Sequence, residues 1–239
     1  MIKPNPMKHL FLILVVISLS GFGQTAEAYF NRGIAKKNLQ DYNGAIVDFN
    51  NAIQLNPDDA NAYYNRGRVK SELQDYTGAI EDYNKFIQLK PFYADAYYSR
   101  GDAKDELQDY TGAIADYNKA IILLPDFADA YNNRGSAKHS LKDYRGAISD
   151  FNKAIQLDPN GALAYFNRGL AKCNLKNYAV AISDFNKAIQ LDPDYASAYS
   201  SRGTAKYFLK DKNGACLDWS KAGELGGSDA YTNIQKFCQ

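Results

Sequence analysis

Few side chains in this sequence have the type and spacing that covalent or acid–base chemistry needs. Beyond the N-terminal segment the only histidine is His139, and it has no partner at the spacing of a metal site or a catalytic triad. Cys173 has no neighbouring base that would activate its thiol. The sequence also has no phosphate-binding loop. We therefore expect a protein that is not an enzyme, with no catalytic residues, no cofactor and no bound metal.

The residues that recur at a regular spacing are charged. An Arg-Gly pair returns every 34 residues, and each pair is followed by a lysine and then by an aspartate at fixed distances. Such charges could form structural ion pairs, or the cations could line up as a basic stripe that binds an anionic polymer. The three columns are Arg32, Arg66, Arg100, Arg134, Arg168 and Arg202; Lys36, Lys70, Lys104, Lys138, Lys172 and Lys206; and Asp48, Asp82, Asp116, Asp150, Asp184 and Asp218.

The element that must position these charges is a pair of helices. In residues 26–59, small or apolar residues recur at helical spacing in two runs. Asp41 stands at the N-cap position of the second run, and Pro57 ends it. A hairpin of this size cannot bury its own apolar face, so it must stack on its neighbours, and a fixed period in this range is the signature of such an array.

The repeat resembles the tetratricopeptide repeat (TPR) family. The matching positions are the aromatic of the first helix, the glycine after Arg, the alanine of "GAI", the aromatic of the second helix and the closing proline. The resemblance implies an all-α fold, a right-handed α-solenoid of six 34-residue helix-turn-helix units with a C-terminal capping helix. We expect residues 24–239 to form a single solenoid domain. The expected repeats are 26–59, 60–93, 94–127, 128–161, 162–195 and 196–227, and the cap helix is expected at 228–239.

Two glycines of most repeats fall inside predicted helices, where each costs about 1 kcal/mol relative to alanine. The resemblance implies that Gly33 faces Ala45 where the two helices approach most closely. Val180 occupies the second glycine column, so we expect Gly44 to have ordinary helical dihedrals and to be tolerated rather than required. Phe86 stands in a column of alanines, which predicts an altered spacing between the second and third repeats.

The Arg and Asp columns predict a ladder of ion pairs, one in each repeat. In an antiparallel pair of helices, Arg32 lies about level with Asp48. We favour this structural interpretation over the basic stripe because every arginine has a matching acidic residue.

In the TPR family, ligands bind the concave face that the first helices form, and here that face differs most from repeat to repeat. It is acidic in the middle of the chain and apolar towards the C-terminal end, which predicts a protein partner whose bound peptide segment has basic and apolar side chains. The family's carboxylate clamp is absent, because Phe30 and Ile34 occupy its lysine and asparagine positions. The predicted groove residues are Phe30, Asn31, Tyr64, Asn65, Tyr98, Asp102, Asp105, Asn133, Phe166, Asn167, Leu170 and Tyr207.

These features together predict a non-enzymatic protein–protein interaction scaffold. The alternative is a module that binds cell-wall glycan or another polymer, with the groove aromatics stacking on sugars. A formal net charge of +1 gives no indication of nucleic-acid binding. We expect a monomer.

The N-terminal segment predicts export. Lys3 and Lys8 precede the apolar run "LFLILVVISLS" and the small-residue exit "GFGQ", a pattern typical of a signal peptide over residues 1–23. The run is short for a membrane span, which needs about 20 residues. Cleavage after Gly23 is favoured, cleavage after Ser20 competes with it, and an uncleaved anchor is the remaining alternative. The expected location is secreted or periplasmic, with no membrane span after cleavage.

The last repeat departs from the pattern and is followed by a helical segment, "DAYTNIQKFC". Solenoid ends need a cap, and stacking would bring Cys238 close to Cys216. After export we expect a disulfide between them, with two reduced, packed cysteines as the alternative. Cys173 is then left over, either free or pairing between molecules.

Overall fold

The computed structural model describes residues 25–238, and every regular element in that range is an α-helix. Helices alternate with short turns at the period read from the sequence, so the expected all-α fold of helix-turn-helix repeats is confirmed. The helices are α1 (Ala26–Asn38), α2 (Tyr42–Leu55), α3 (Ala60–Glu72), α4 (Tyr76–Leu89), α5 (Ala94–Glu106), α6 (Tyr110–Leu123), α7 (Ala128–Ser140), α8 (Tyr144–Leu157), α9 (Ala162–Asn174), α10 (Tyr178–Leu191), α11 (Ala196–Phe208), α12 (Lys212–Glu224) and α13 (Ala230–Phe237).

The described residues form two compact units, 25–107 and 108–238. The first contains α1 to α5 and the second contains α6 to α13. The predicted signal peptide, residues 1–23, lies outside the described residues, and a single domain over 24–239 stays a prediction. Within the described part of the chain, no helix combines the length and apolarity that crossing a bilayer requires.

A residue in the left-handed region closes the turn of each hairpin. Gln40 has a φ of 61°, and its N–H donates to the Lys37 carbonyl oxygen, while the Asp41 N–H donates to that of Lys36. These bonds satisfy carbonyl groups at the end of α1. Glycine is the usual residue in this conformation, so the sequence carried no signal for it. The equivalent residues are Gln74, Gln108, Lys142, Lys176 and Lys210.

The second glycine of each repeat makes room for the N-cap. The Gly44 N–H donates to the Asp41 carboxylate at 3.0 Å, and a Cβ on Gly44 would lie 2.1 Å from Asp41 Oδ2. In the fifth repeat Val180 takes this place, and Asn177 makes no side-chain cap bond. Ordinary helical dihedrals are confirmed, since Gly226 is the only glycine of residues 25–238 with a positive φ. The glycine is more than tolerated, however, because it lets the carboxylate fold over the helix end.

The first glycine of a repeat, such as Gly33, packs against an aromatic ring of the second helix. In the sixth repeat a Cβ on Gly203 would also lie 3.0 Å from the carbonyl oxygen of Ala215, the equivalent of Ala45. The expected approach of Gly33 to Ala45 itself stays a prediction. A Cβ on Gly33 would lie 2.8 Å from the edge of the Phe49 ring, which is itself fully buried. Gly135 and Phe151 repeat this contact at 2.7 Å. The glycine is therefore needed to seat the large ring of α2 against α1, and the small Ala45 lies in the same buried cluster as Phe49.

The first helices lie on the inner side of each stack. Each second helix packs on the helix that follows it and, where both lie in one compact unit, on the first helix of its own repeat. In addition, α1 contacts α3 and α3 contacts α5 in the first unit, and α7 contacts α9 and α9 contacts α11 in the second. Because consecutive first helices meet, their outward side chains share one surface in each unit, which we call the inner face.

Phe86 is accommodated by a local aromatic cluster. Its ring is buried and lies 5.0 Å from the Tyr64 ring centroid and 5.3 Å from that of Tyr93. Ala60 and Ala96 pack against it. These small neighbours leave room for the larger ring, and an altered repeat spacing stays a prediction.

Helix α13 covers the C-terminal end of the second unit. The Phe237 ring centroid lies 4.5 Å from that of Tyr207 and 5.7 Å from that of Trp219. A disulfide joins Cys216 of α12 to Cys238, whose Cα atoms are 5.8 Å apart. A helix of eight residues is not stable alone in water, so these contacts hold it in place.

Candidate partner-binding surface

In the hairpins that lie within one compact unit, the charged residues form an ion cluster between the two helices. In the fourth repeat, Arg134 donates from Nε to Asp150 Oδ2 at 2.9 Å and from Nη2 to Oδ1 at 2.5 Å. The Lys138 ammonium lies 2.8 Å from Asp150 Oδ2. The carboxylate is buried, and such a bidentate, charge-assisted pair is among the stronger polar contacts in proteins. The same cluster occurs as Arg32–Lys36–Asp48, Arg66–Lys70–Asp82, Arg168–Lys172–Asp184 and Arg202–Lys206–Asp218.

The predicted Arg–Asp ladder is confirmed in these repeats, and the arginine also joins neighbouring repeats, which the sequence interpretation missed. Arg134 Nη1 donates to Asn118 Oδ1 on the preceding second helix at 2.6 Å, and its guanidinium lies 5.2 Å from the Tyr131 ring centroid. No repeat precedes that of Arg32 among the described residues, and the Arg32 side chain is 52% exposed. The sequence did contain a sign of the Arg–Asn bond, because asparagine occupies the position of Asn118 in all repeats except the last, where Ser220 stands. The other bonds are Arg66–Asn50, Arg100–Asn84, Arg168–Asn152 and Arg202–Asn186.

In the first repeat, the ion pair shifts the pKa values of both partners in favour of their charged forms. Hydrogen bonds from Arg32 hold the pKa of the Asp48 carboxyl below its usual value, although burial opposes this, and Lys36 adds to the effect. The hydrogen bond to Asp48 in turn raises the pKa of Arg32. Since carboxylates engage these cations, the columns do not form a free basic stripe for an anionic polymer.

The predicted groove aromatics of the first compact unit pack into the stack. The Phe30 ring centroid lies 5.9 Å from that of Phe49, and Tyr64 lies 5.8 Å from Tyr83. The Tyr64 hydroxyl is 3.3 Å from Ser99 Oγ, and burial raises the pKa of Tyr64. These rings are only partly exposed, which leaves less ring area for stacking on a sugar.

Polar groups fill the inner face between these rings. Asn31 is exposed on α1, and Tyr98 is half-buried on α5. The Asn65 side chain accepts from Lys37 Nζ at 3.3 Å and donates to the Asn61 carbonyl oxygen at 2.9 Å. Asn65 thus bridges α1 and α3, with its side chain oriented before any ligand arrives.

The end of α5 carries the predicted acidic part of the inner face, with Asp102, Asp105 and Glu106. Asp105 Oδ1 is buried and has no hydrogen-bond partner among the described residues. Burial raises the pKa of Asp105, and the charge of Glu106 raises it further. An unsatisfied buried carboxylate oxygen is destabilising, and because this atom has almost no exposed surface a partner cannot reach it directly.

In the second compact unit, Asn167 links two first helices. Its Nδ2 donates to Asn132 Oδ1 at 3.2 Å and to Ser136 Oγ at 3.4 Å. Phe166 is half-buried, with its ring centroid 4.8 Å from that of Tyr195. The amide of Asn167 is therefore held in one orientation, with both of its donor hydrogens directed at α7.

The remaining predicted groove residues of this unit differ in accessibility. Leu170 packs on the cluster that includes Phe185, and Asn133 is half-buried on α7. Tyr207 lies under the Phe237 ring of the cap helix. The structure therefore brings Asn167 and Leu170 together on the open part of the inner face and places Tyr207 at its covered end.

The two side chains with nucleophilic or acid–base potential are not activated. Cys173 is a free, half-buried thiol, and burial raises its pKa to about 11, so it stays protonated at neutral pH. Burial lowers the pKa of His139, whose Nε2 lies 2.9 Å from Asn174 Nδ2. The part of the chain that the structure describes holds no cluster of three or more candidate metal ligands.

Models of known protein families match the repeats that the structure shows. Models described as TPR repeat match residues 36–74, 67–107 and 101–142, and models described as tetratricopeptide repeat match 128–160 and 162–195. The chain belongs to the tetratricopeptide repeat family. The TPR fold is a scaffold typical of protein–protein interaction, with extended inner surfaces for binding. A search of curated proteins found no match.

Solved TPR structures share the fold, and the expected TPR solenoid is confirmed. The MamA protein is 28% identical, with a TM-score of 0.67 over 73% of this chain and 96% of its own. YrrB, described as a TPR protein with an unusual peptide-binding site, is 24% identical, with a TM-score of 0.64 over 79% of this chain and 97% of its own. PilF of Pseudomonas aeruginosa is 19% identical, with a TM-score of 0.74 over 88% of this chain and 96% of its own.

Proposed function

We propose that this TPR protein is an exported, non-enzymatic scaffold that holds a segment of a partner protein against its inner face. The observation that carries the proposal is that two sets of residues differ in how much they vary from repeat to repeat. The Arg, Lys, Asp and Asn of the ion clusters are nearly invariant from repeat to repeat. One inner-face column, in contrast, has a different residue in every repeat: Ile34, Arg68, Asp102, Ser136, Leu170 and Thr204. A constant framework with a variable inner surface suits recognition of one particular segment.

The chemistry of the inner face supports a segment with basic and apolar side chains. In the first compact unit, Asp102 and Glu106 give the end of α5 a negative charge that a lysine or arginine of a partner would complement. In the second unit, Leu163 is 51% exposed at the start of α9. YrrB, with the same fold, is described as having a peptide-binding site.

Export is supported by two features of the chain. Residues 1–23 have the sequence pattern of a signal peptide. The cap helix is joined to α12 by the bond between Cys216 and Cys238, and such bonds persist in oxidising compartments. These two features support the proposal that the scaffold acts outside the cytoplasm, in the periplasm or the medium.

Affinity capture from extracytoplasmic extract tests the proposal, using residues 24–239 as bait. Two exposed leucines give a matched pair of variants: Leu163→Glu on the inner face, and Leu217→Glu, which is 73% exposed on second helix α12. Both changes add one negative charge at an exposed site, so the thermal unfolding of both should match that of the parent. Pre-treatment of the extract with protease or with glycosidase tells a protein partner from a glycan.

The proposal expects one protein to be captured by the parent and by Leu217→Glu, and to be lost with Leu163→Glu. Equal capture by all three baits would show that the partner does not bind the inner face at Leu163. Capture that survives protease and is abolished by glycosidase would favour the glycan alternative.

A further inference from the structure

A pocket of about 150 Å³ opens on the inner face of the second compact unit. It lies between α7 and α9, with the Phe151 ring of α8 among its walls. Leu170 supplies a second apolar wall. The polar lining comes from Ser136, His139, Ser140 and Asn167.

The pocket exists because the fourth repeat has two serines, one turn apart, where other repeats carry larger side chains. Ser136 and Ser140 are the only such pair of small neutral residues in these two columns. Two small side chains on one face of α7 leave the space above Phe151 unfilled. The other repeats have Ile34 and Asn38, Arg68 and Glu72, Asp102 and Glu106, Leu170 and Asn174, and Thr204 and Phe208.

The lining is suited to an uncharged group. None of the six lining residues carries a formal charge when His139 is neutral, and burial lowers the pKa of His139, which favours that state. A lysine or glutamate side chain would lose its hydration here without gaining an ion partner. An apolar cavity of about 150 Å³ holds a benzene molecule, so a branched aliphatic side chain fits, whereas an indole is too large.

One fixed acceptor stands at the pocket. Asn167 uses both Nδ2 hydrogens on Asn132 and Ser136, so its Oδ1 is the atom left to face a ligand. An amide oxygen held in this way accepts a hydrogen bond from a peptide N–H without loss of side-chain entropy.

We propose that this pocket selects a branched aliphatic side chain, of valine or leucine size, in the segment that the scaffold binds, and that Asn167 Oδ1 accepts a backbone N–H of the same segment. This inference rests on the proposed function and adds a sequence requirement to it. It makes the fourth repeat the place where the segment is set in register.

Selection of a phage-displayed random heptapeptide library on residues 24–239 tests the inference. Enriched peptides should share one position occupied by valine, leucine or isoleucine. Synthetic peptides that carry leucine, alanine, tryptophan, lysine or glutamate at that position are then compared by titration. Leucine should bind at least about tenfold more tightly than each of the others.

Two substitutions of the scaffold locate the effect. Ser140→Leu fills the pocket from an exposed position, and Ser183→Leu makes the same change at an exposed serine on second helix α10. The leucine peptide should bind Ser140→Leu at least about tenfold more weakly than the parent and Ser183→Leu equally well.

The outcomes separate the two proposals. Peptides that lose binding to Leu163→Glu but bind Ser140→Leu normally would overturn the pocket assignment and leave the scaffold function standing. Enriched peptides with no shared aliphatic position would also overturn it. If no peptide is enriched, both the pocket assignment and the peptide-binding function fail.

Discussion

The ion cluster of the fourth repeat can be tested quantitatively with a double-mutant cycle on Arg134 and Asp150. The Asp150 side chain is 4% exposed and that of Arg134 is 16% exposed, so the pair is largely removed from water. Removing one partner of a buried pair costs about 3–5 kcal/mol. The two substitutions differ, however, in what they leave behind.

Arg134→Met leaves Asp150 with Lys138, whose ammonium is 2.8 Å away. It also breaks the bond to Asn118. We expect a loss of about 2–3 kcal/mol, below the full range because one cation remains. Asp150→Leu strands two cations and should cost about 3–5 kcal/mol. The double variant should be less destabilised than the sum of the two, by about 1–3 kcal/mol.

Urea unfolding followed by far-UV circular dichroism measures these differences, provided that the slope m is the same for all four proteins. Arg145→Met serves as the control, because Arg145 is exposed in the same repeat and its loss should change stability by at most about 0.5 kcal/mol. If Arg134→Met and Asp150→Leu add within about 0.5 kcal/mol, the two side chains do not act as a pair and the cluster interpretation is refuted.

Three further predictions use the same unfolding assay. Gly135→Ala places a Cβ 2.7 Å from the Phe151 ring and should cost about 1–3 kcal/mol of stability through overpacking. Gly146→Ala should leave stability nearly unchanged, because the lost cap bond and the gained helix propensity are each worth about 1 kcal/mol. Equal effects of the two substitutions would contradict this prediction. Lys142→Gly relieves a side chain at φ 64° and should stabilise by about 0.5–1 kcal/mol; a loss of stability would contradict it. The Asp48 carboxyl has a lowered pKa in the folded state. Its contribution to folding stability is therefore complete above its unfolded pKa of about 3.9 and is lost as the pH falls through the folded pKa. Asp48→Asn should make stability depend less on pH in that range of an acid-unfolding curve.

The helices, their caps and the level pairing of Arg with Asp could be read from the sequence because they depend on local spacing. Asp41 stands before a periodic run, and Arg32 and Asp48 lie on the two helices of one hairpin, 16 residues apart. The contact partner of Gly33 could not be read in this way, because it depends on how two helices cross. The left-handed Gln40 carried no signal, since glutamine is not a residue that favours that conformation.

Contacts between repeats were predicted less well than contacts within one repeat. The asparagine column was visible, but its partner lies on the next repeat, and only the stacking distance shows that Arg134 reaches Asn118. The pocket was invisible for a related reason. It is an absence of side-chain volume between α7 and α9, and a sequence shows which residues are small but not whether a neighbour fills the space that they leave.

The position of the two serines explains how the inner face can change while the framework stays constant. Arg134 and Lys138 are one turn apart on α7 and both reach Asp150. Ser136 and Ser140 are also one turn apart, but each follows its charged neighbour by two residues, which is about 200° around an α-helix. The charged stripe faces the preceding repeat through Asn118, and the serine stripe lies with Asn167 and Leu170 of the following one. Substitutions on the serine stripe therefore alter the pocket without removing any hydrogen bond of the ion cluster, so each repeat can carry its own recognition chemistry on the same scaffold.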